Sequence, residues 1–258
     1  MWPINLETYR LMLRITTEHR KTIRFSEIDN NESFVLWRHD CDMSLNRARA
    51  IAEIDAENGV SSTFFILPHS DFYSILELGQ TKLIRDIAKL GHAIGLHLDV
   101  EYHSMTSAKF NIESAIARDR NLLEDISETR IEVFSFHNPT PDVLKFQNDS
   151  YADLINCYSK QILGTVSYGS DSNGYWRHEP IPQILQDLDR TRLQILTHPE
   201  WWLESDELPR DRVLRCAYGR AQSVIMNYDK SMSEQENRNN ELAEDFAFSD
   251  YERAIKIL

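Results

Sequence analysis

Apolar and polar positions alternate along the chain in a pattern typical of repeated strand and helix units. Short apolar runs are followed by segments in which apolar residues recur every three or four positions. In the first such segment, residues 44–59, Ser44 is placed to cap a helix and Asn58-Gly59 to end it. The alternation predicts an α/β fold with a largely parallel sheet.

The same pattern predicts the remaining elements of the chain. The N-terminal segment "MWPINLETYRLMLRITTEHR" has the spacing of an amphipathic helix. Strands are predicted at residues 34–37, 61–67, 93–97, 131–137, 163–171 and 192–198. Helices are predicted at residues 81–91, 107–126, 182–188 and from 211 onward. A polar stretch at residues 229–241 interrupts the last helix and forms either a loop or an exposed helix.

The length of 258 residues is typical of a single barrel of strand and helix units. Neither an internal repeat nor a linker divides the sequence. We therefore predict one domain over residues 1–258, with an N-terminal helix extension at residues 1–30 and a C-terminal helical segment at residues 211–258.

Composition and charge exclude several classes of partner. The net charge of −13 disfavours nonspecific binding to nucleic acid or anionic lipid. No apolar run approaches the roughly 20 residues that span a bilayer, and residues 1–20 lack the basic and apolar regions of a secretory signal. The three cysteines, at positions 41, 157 and 216, show no paired spacing. We therefore expect a cytoplasmic protein with no membrane span.

Charged and imidazole side chains follow four of the predicted strands. The run at residues 34–37 leads into Arg38, His39, Asp40 and Asp42, and the later runs lead into His97, His137 and His198. Because the carboxyl ends of the strands in such barrels meet at one rim, we expect these side chains to converge there.

Imidazoles and carboxylates at a rim are the ligands that zinc and similar divalent ions prefer. A single histidine after a strand is more often a solvated or hydrogen-bonded loop residue. Here, however, five of the nine histidines (39, 97, 137, 178 and 198) lie in or beside such positions. The pattern predicts a metal centre with capacity for a bound water. His92 precedes its strand and is expected to pack near the opposite rim.

Five motifs, in this order, resemble those of the polysaccharide deacetylase superfamily, also called NodB-homology or carbohydrate esterase family 4. They are "RHDCD", "GHAIGLH", "FSFHNP", "SDSNGYW" and "LQILTHPEWW", and the resemblance covers roughly residues 33–202. It implies an α/β fold that forms a distorted or incomplete (β/α) barrel of about seven parallel strands. It also implies a metal-dependent hydrolase that removes an acyl group from an N-acylated sugar.

The resemblance implies a role for each residue at the rim. Asp40 would be the general base that activates the attacking water, and Asp42 a metal ligand. His97 would be a second ligand, and His198 the general acid that protonates the leaving amine. The cofactor would be a divalent ion, with zinc favoured by the ligand types. Separate acid and base groups would manage the two proton transfers.

The sequence departs from the family pattern in the first and second motifs. Cys41 separates the two aspartates, so the base and ligand roles of Asp40 and Asp42 could be exchanged. Glu101 stands where the family has its second ligand histidine. A carboxylate can coordinate a metal, but a solvated loop glutamate is an equally good interpretation.

The third motif also departs from the family pattern, because His137 stands where the family usually has arginine. The third metal ligand is therefore His137, Glu101 or His103, and we favour His137. Arg38 is expected to orient the base in place of the missing arginine.

Aromatic and polar residues near the last two motifs are expected to bind the sugar. Aromatic faces stack on apolar sugar faces, and a carboxylate accepts hydrogen bonds from hydroxyls. The predicted substrate-binding residues are Arg38, Asp171, Trp176 and Trp201. Trp202 fits a core position equally well.

The leading interpretation is a metal-dependent hydrolase that removes an N-acyl group, with acetyl favoured, from a sugar or glycan precursor. In the cytoplasm this precursor would be nucleotide-linked or lipid-linked, as in surface polysaccharide biosynthesis. Two alternatives stay open: hydrolysis of another small-molecule C–N bond, and a catalytically inactive homologue that binds carbohydrate or acts as a scaffold. The expected partner is a small-molecule or glycan substrate. The sequence leaves the sugar, the acyl group and the oligomeric state open.

Overall fold

The computed structural model describes residues 2–30 and 32–233 of the chain. The chain divides into two compact units, residues 1–216 and residues 217–258. The first unit contains the sheet, and the described residues of the second, 217–233, are helical. Part of the predicted C-terminal segment, residues 234–258, lies outside the described residues. In the part of the chain that the structure describes, no helix has the length and apolar character needed to cross a membrane.

Nine strands form the sheet in the described part of the chain. They are β1 (Lys21–Thr22), β2 (Phe34–Cys41), β3 (Thr63–Ile66), β4 (Ala93–Leu98), β5 (Val133–Phe136), β6 (Ser150–Tyr151), β7 (Leu154–Asn156), β8 (Ser167–Ser170) and β9 (Arg192–Thr197).

The helices lie between these strands and at both ends of the described chain. They are α1 (Leu6–His19), α2 (Leu45–Glu57), α3 (Leu78–Lys89), α4 (Val100–Thr106), α5 (Ile112–Ser127), α6 (Lys160–Thr165), α7 (Ile181–Gln186) and α8 (Pro209–Ser233).

The strand order is that of an open, curled α/β sheet. It runs β6-β7-β5-β4-β3-β2-β9-β8, and every neighbouring pair except β6 and β7 is parallel. The short β1 pairs in parallel with β2. Within the described residues β6 and β8 end the order and do not pair with each other, so the barrel is incomplete. The predicted fold, an incomplete barrel with about seven parallel strands, is confirmed.

Helix α2 illustrates how local sequence signals place an element. The Ser44 side chain accepts a hydrogen bond from the backbone N–H of Arg47 at 3.2 Å, as an N-cap does. The helix ends at Asn58 and is followed by Gly59, whose φ of 71° lies in the left-handed region. Both signals were predicted, and both are confirmed.

The core lies between the sheet and the helices that flank it. Val35 and Trp37 of β2 and Leu96 of β4 are buried in one large apolar cluster with residues of α1 and α2. Burial on both faces explains why the strands read as continuous apolar runs. The residues at the strand ends are therefore carried by strands that are buried on both faces.

Strand β2 is longer than predicted. The predicted strand ended at Trp37, but the observed one continues to Cys41, and all eight of its residues are buried. The charged residues stay in the strand because their charges are paired inside the protein, which removes most of the cost of burying them. The segment at residues 163–171 also differs, because its first three residues belong to helix α6 and only residues 167–170 form a strand.

Candidate metal and catalytic site

Three parallel strands, β2, β4 and β5, deliver the predicted ligands to one edge of the sheet. Asp40 lies within β2 and Asp42 directly follows it. His97 lies in β4, and His137 directly follows β5, the strand next to β4. Since β2, β3, β4 and β5 are consecutive in the sheet, their carboxyl ends lie side by side.

Three ligand atoms form a nearly equilateral triangle. Asp42 Oδ1 lies 3.2 Å from His97 Nε2 and 3.4 Å from His137 Nδ1. The two imidazole nitrogens are 3.4 Å apart. A tetrahedral ion with metal–ligand bonds of ~2.0–2.1 Å holds its ligands about 3.3–3.4 Å apart. The side lengths of the triangle therefore match those of a zinc-type site.

The charge state of Asp42 also suits a metal ligand. Its Oδ1 is buried and, among the described residues, has no hydrogen-bond donor in good geometry despite the two short imidazole contacts. Burial alone would raise the pKa of Asp42, but the nearby His137, His97 and His198 lower it well below its usual range. The carboxylate is therefore ionised, and its orphaned oxygen faces two nitrogens that bind divalent ions. The residues present fit a metal ion.

The two ligand imidazoles are held by neighbouring polar groups. His97 Nδ1 lies 2.7 Å from the Ser135 hydroxyl, which leaves Nε2 facing Asp42. His137 Nε2 lies 2.9 Å from the amide nitrogen of Asn138, which leaves Nδ1 facing Asp42. Such outer contacts fix ring orientation in metal sites.

Arg38, which lies in the same strand, forms two hydrogen bonds with the Asp40 carboxylate. Arg38 Nε lies 3.1 Å from Asp40 Oδ1, and an Arg38 terminal nitrogen lies 2.6 Å from Asp40 Oδ2. Burial alone would raise the pKa of Asp40, but Arg38, His97 and His198 lower it. Asp40 is therefore ionised, and its Oδ2 lies 3.6 Å from His97 Nε2. Arg38 is completely buried, and its observed ion pair is with Asp40. A contact between Arg38 and a substrate stays a prediction.

His198 is held by Asp171. Its Nδ1 lies 2.7 Å from Asp171 Oδ1, and its backbone N–H donates to the same carboxylate. The Trp202 indole N–H donates to Asp171 Oδ2 at 2.8 Å. His198 Nε2 faces the Asp42 triangle and lies 3.9 Å from Asp42 Oδ2.

The charge of His198 follows from this arrangement. Burial alone would lower the pKa of the imidazole, but the carboxylates of Asp171, Asp42 and Asp40 outweigh burial and raise the pKa to about 10. His198 therefore carries a proton at neutral pH.

A pocket of about 330 Å³ opens onto these groups. Asp42, His137, His198 and Trp201 are among the side chains that line it. Polar groups from the segments after β5 and β8 complete one side, namely Asn138, Ser172 and Asn173. Trp201 is 4% exposed and also belongs to the apolar core, so its predicted contact with a sugar stays a prediction.

Two other predicted substrate-binding residues have protein partners instead. Asp171 is completely buried, and both of its oxygens bind His198 or Trp202. Trp176 donates its indole N–H to the backbone carbonyl of Trp2 at 2.8 Å. A sugar contact by either residue stays a prediction. The observed contacts of Asp171 position the His198 and Trp202 side chains, and that of Trp176 is with the backbone of Trp2.

The alternative metal ligands lie away from Asp42. Glu101 is exposed in the first turn of α4, and His103 binds Asp119 at 2.8 Å. His178 is exposed. Of the three candidates for the third ligand, His137 is the one that the structure brings to Asp42 and His97.

His92 packs as predicted, near the amino end of β4. Its ring accepts a hydrogen bond from the Ser62 N–H at 3.2 Å, and its other nitrogen lies 2.8 Å from the Ala52 carbonyl oxygen. Trp202 is completely buried and belongs to the core.

The sequence did not identify Glu200 as part of the site. Its side chain is buried, and within the described part of the chain neither carboxyl oxygen has a hydrogen-bond partner. Burial and the nearby charge of Asp42 raise the pKa of Glu200 well above its usual range. Its position two residues after His198 was the available signal, but an isolated glutamate there gives no indication of burial.

No protein-family model and no curated protein matches the sequence. Among solved structures, the chain is similar to the Xyl-CE4 domain of a multidomain xylanase from the hindgut metagenome of Trinervitermes trinervoides. The identity is 11%, the match covers 77% of this chain and 85% of that one, and the TM-score is 0.44.

Two further structures are similar to this chain. The Streptococcus pyogenes deacetylase PplD, in complex with acetate, is 11% identical over 83% of this chain and 87% of its own, with a TM-score of 0.45. A CE4 family pseudoenzyme from Bacillus anthracis is 13% identical over 75% of this chain and 62% of its own, with a TM-score of 0.41. CE4 is the family that the sequence motifs resemble. At these levels of similarity, function has to be inferred from the site residues themselves.

Proposed function

We propose that this chain is a metal-dependent hydrolase that removes an N-acyl group, in particular acetyl, from a sugar or glycan precursor. The observation that carries the proposal is the triangle of Asp42, His97 and His137 between an ionised Asp40 and a protonated His198. A ligand set with a base and an acid beside it suits hydrolysis of an amide bond.

Asp42, His97 and His137 would hold the ion, and two nitrogens with one carboxylate oxygen favour zinc. When bound, a divalent ion supplies Lewis acidity toward the acyl oxygen and makes water more acidic. The pocket beside the three ligands leaves room for substrate and water.

Asp40 is the general base in this proposal. It is ionised, and Arg38 fixes the orientation of its carboxylate through two hydrogen bonds. Its Oδ2 lies next to the ligand atom of His97, so it can accept a proton from a water that attacks the acyl carbon. Asp42 is then the metal ligand, because its Oδ1 belongs to the triangle. This assignment gives Asp40 and Asp42 the roles that the family resemblance implies.

His198 is the general acid. Asp171 holds the ring by Nδ1, so Nε2 is the nitrogen that faces the site. The imidazole carries a proton at neutral pH and can donate it to the nitrogen of the leaving amine. Asp171 is a positioning residue, because it acts through His198 and Trp202.

The lining of the pocket supports a sugar substrate. Asn138, Ser172 and Asn173 line the pocket and can form hydrogen bonds with sugar hydroxyls. Trp201 borders the same pocket, although it is only 4% exposed. We also propose a cytoplasmic location with a nucleotide-linked or lipid-linked precursor as substrate. All three cysteines are free thiols, as expected of a reducing compartment.

Acetate release from a panel of N-acetylated sugars tests the proposal. The panel includes free N-acetylhexosamines, their oligosaccharides and their nucleotide-linked forms, with ureides and simple amides as non-sugar substrates. We expect zinc-loaded protein to release acetate from at least one sugar, and Asp40→Asn to abolish this release while keeping the metal. Turnover of a ureide or simple amide alone would replace the sugar assignment. Equal turnover in wild type and Asp40→Asn would refute the proposed chemistry.

A further inference from the structure

A second cluster of metal-binding side chains lies apart from the ligand triangle. His69 Nε2 is 3.2 Å from Asp119 Oδ1, and His103 Nε2 is 2.8 Å from Asp119 Oδ2. One ligand atom from each of the three residues lies within 4.8 Å of the other two. The set has the same composition as the Asp42 triangle, with two imidazole nitrogens and one carboxylate.

The three residues come from separate parts of the fold. His69 lies in the segment after β3, His103 in α4, and Asp119 in α5. Asp119 lies on the buried face of α5, where the neighbouring buried residues include Ile116 and Leu123. An ionised carboxylate on such a face needs compensating positive charge. A divalent ion supplies more of that charge than neutral imidazoles do.

The imidazoles are arranged around the carboxylate. His103 is buried, and in the described part of the chain its Nδ1 has no hydrogen-bond partner, so the ring is oriented by the Nε2 contact and by packing on Tyr102. The His69 ring stacks on Tyr102, with centroids 3.6 Å apart and an interplanar angle of 13°. These contacts aim both Nε2 atoms at Asp119.

His69 also lines the pocket that contains Asp42. Its side chain is 19% exposed, whereas those of His103 and Asp119 are each 1% exposed. An ion can therefore reach this cluster from the pocket, and a coordination position on the His69 side is accessible to solvent. Three protein ligands with one accessible position leave room for a water as the fourth ligand. An ion held by residues of separate elements would also stabilise the fold that brings them together.

We propose that His69, His103 and Asp119 form a second divalent metal site, which joins the segment after β3 to α4 and α5. This Asp119 site is distinct from the Asp42 site, and its occupancy does not depend on the proposed hydrolysis. Bound zinc would stabilise the folded chain, because binding to the native state alone adds to the free energy of unfolding.

The test is the number of zinc ions bound per chain. Chelator-stripped protein is incubated with Zn²⁺ alone and desalted, and its metal content is measured by mass spectrometry. We expect two ions in wild type, one in His69→Gln, one in Asp119→Asn and one in Asp42→Asn. The control, His178→Gln, removes an exposed histidine outside both clusters and should retain two. His69→Gln keeps the test valid if Asp119→Asn fails to fold, which circular dichroism reports.

The same count separates failure of this site from failure of the proposed active site. One ion in wild type that is lost in Asp42→Asn but kept in His69→Gln would overturn the second site. In that case the His69, Asp119 and His103 contacts are hydrogen bonds alone. One ion that is lost in His69→Gln but kept in Asp42→Asn would support the Asp119 site and refute the metal in the proposed hydrolase.

Discussion

Arg38 and Asp40 form a two-point ion pair within a single buried strand. The contacts are 3.1 Å and 2.6 Å, and the two side chains are 0% and 4% exposed. Residues two apart in a strand point to the same side, so β2 supplies both the proposed base and the group that orients it. Arg38 also lies over the rings of Phe65 and Tyr158, which fill the remaining space around it.

Replacing Arg38 tests the importance of this pair. We expect Arg38→Met to lower the free energy of unfolding by about 3–5 kcal/mol at neutral pH, because a buried carboxylate loses its partner. Urea unfolding measures the change. Arg130→Met is the control, since that arginine is 82% exposed, and it should change stability by less than about 0.5 kcal/mol.

The effect of Arg38→Met should depend on pH. Asp40 has a lowered pKa in the folded protein, so its pairing stabilises the fold above the unfolded value of ~3.9. This contribution is lost as pH falls through the folded value. The cost of Arg38→Met should therefore shrink below about pH 4. An equal cost at pH 3 and pH 7 would show that Arg38 acts through its packing on Phe65 and Tyr158 instead.

The two aspartates should separate metal binding from turnover. We expect Asp42→Asn to lose the zinc of the Asp42 site, because it removes the anionic oxygen of the triangle. Asp40→Asn should keep this zinc and lose turnover by about 10²–10⁴, the contribution of one positioned proton-transfer group. Metal content and acetate release measured on the same preparations check both outcomes. The opposite pattern would exchange the two roles.

His198→Ala should retain the fold and the metal while turnover falls by about 10²–10⁴. The reason is that in the proposed mechanism His198 donates the proton to the leaving amine, and it lies outside the Asp42, His97 and His137 triangle. The kinetic measurement is kcat for the best substrate of the panel, with the exposed His178→Ala as the matched control. Near-normal turnover, or a loss of metal along with activity, would rule out the acid role.

As pH rises, the free energy of unfolding of Glu200→Gln should increase relative to that of the wild type. Burial raises the pKa of Glu200, so the folded protein keeps a proton that the unfolded chain releases above about pH 4.3. Folded wild type therefore loses stability as pH rises from that value toward the raised pKa, whereas glutamine has no proton to lose. Urea unfolding from pH 4 to pH 8, with chelator present, measures the difference.

The Glu200→Gln experiment has a matched control, and one result would contradict the raised pKa of Glu200. Glu57→Gln replaces an exposed glutamate at the end of α2 and should show no comparable pH trend. If the difference between Glu200→Gln and wild type does not change with pH, Glu200 is ionised in the folded protein and has a partner that neutralises it.

The sequence predicted the sheet and the convergence of side chains because both depend on local pattern. Apolar runs followed by helical spacing indicated parallel strands, and parallel strands bring their carboxyl ends together. Asp42, His97, His137 and His198 are close in space for this reason alone.

Partners that are distant in sequence could not be predicted in this way. β2 continues through Arg38 because Phe65 and Tyr158 surround the guanidinium, and neither contact leaves a periodic signal. Asp171 holds His198 from 27 positions away. Asp119 lies on the apolar face of α5, where a helical pattern alone gives no indication of two imidazoles.

In the proposed mechanism, Asp42, His97 and His137 hold one catalytic metal ion beside Asp40 and His198. Anomalous diffraction at the zinc absorption edge, from crystals grown with Zn²⁺, would locate this ion. We expect a peak ~2.0–2.1 Å from Asp42 Oδ1, His97 Nε2 and His137 Nδ1. The absence of a peak at this position, or a peak bound through Glu101, would contradict the account.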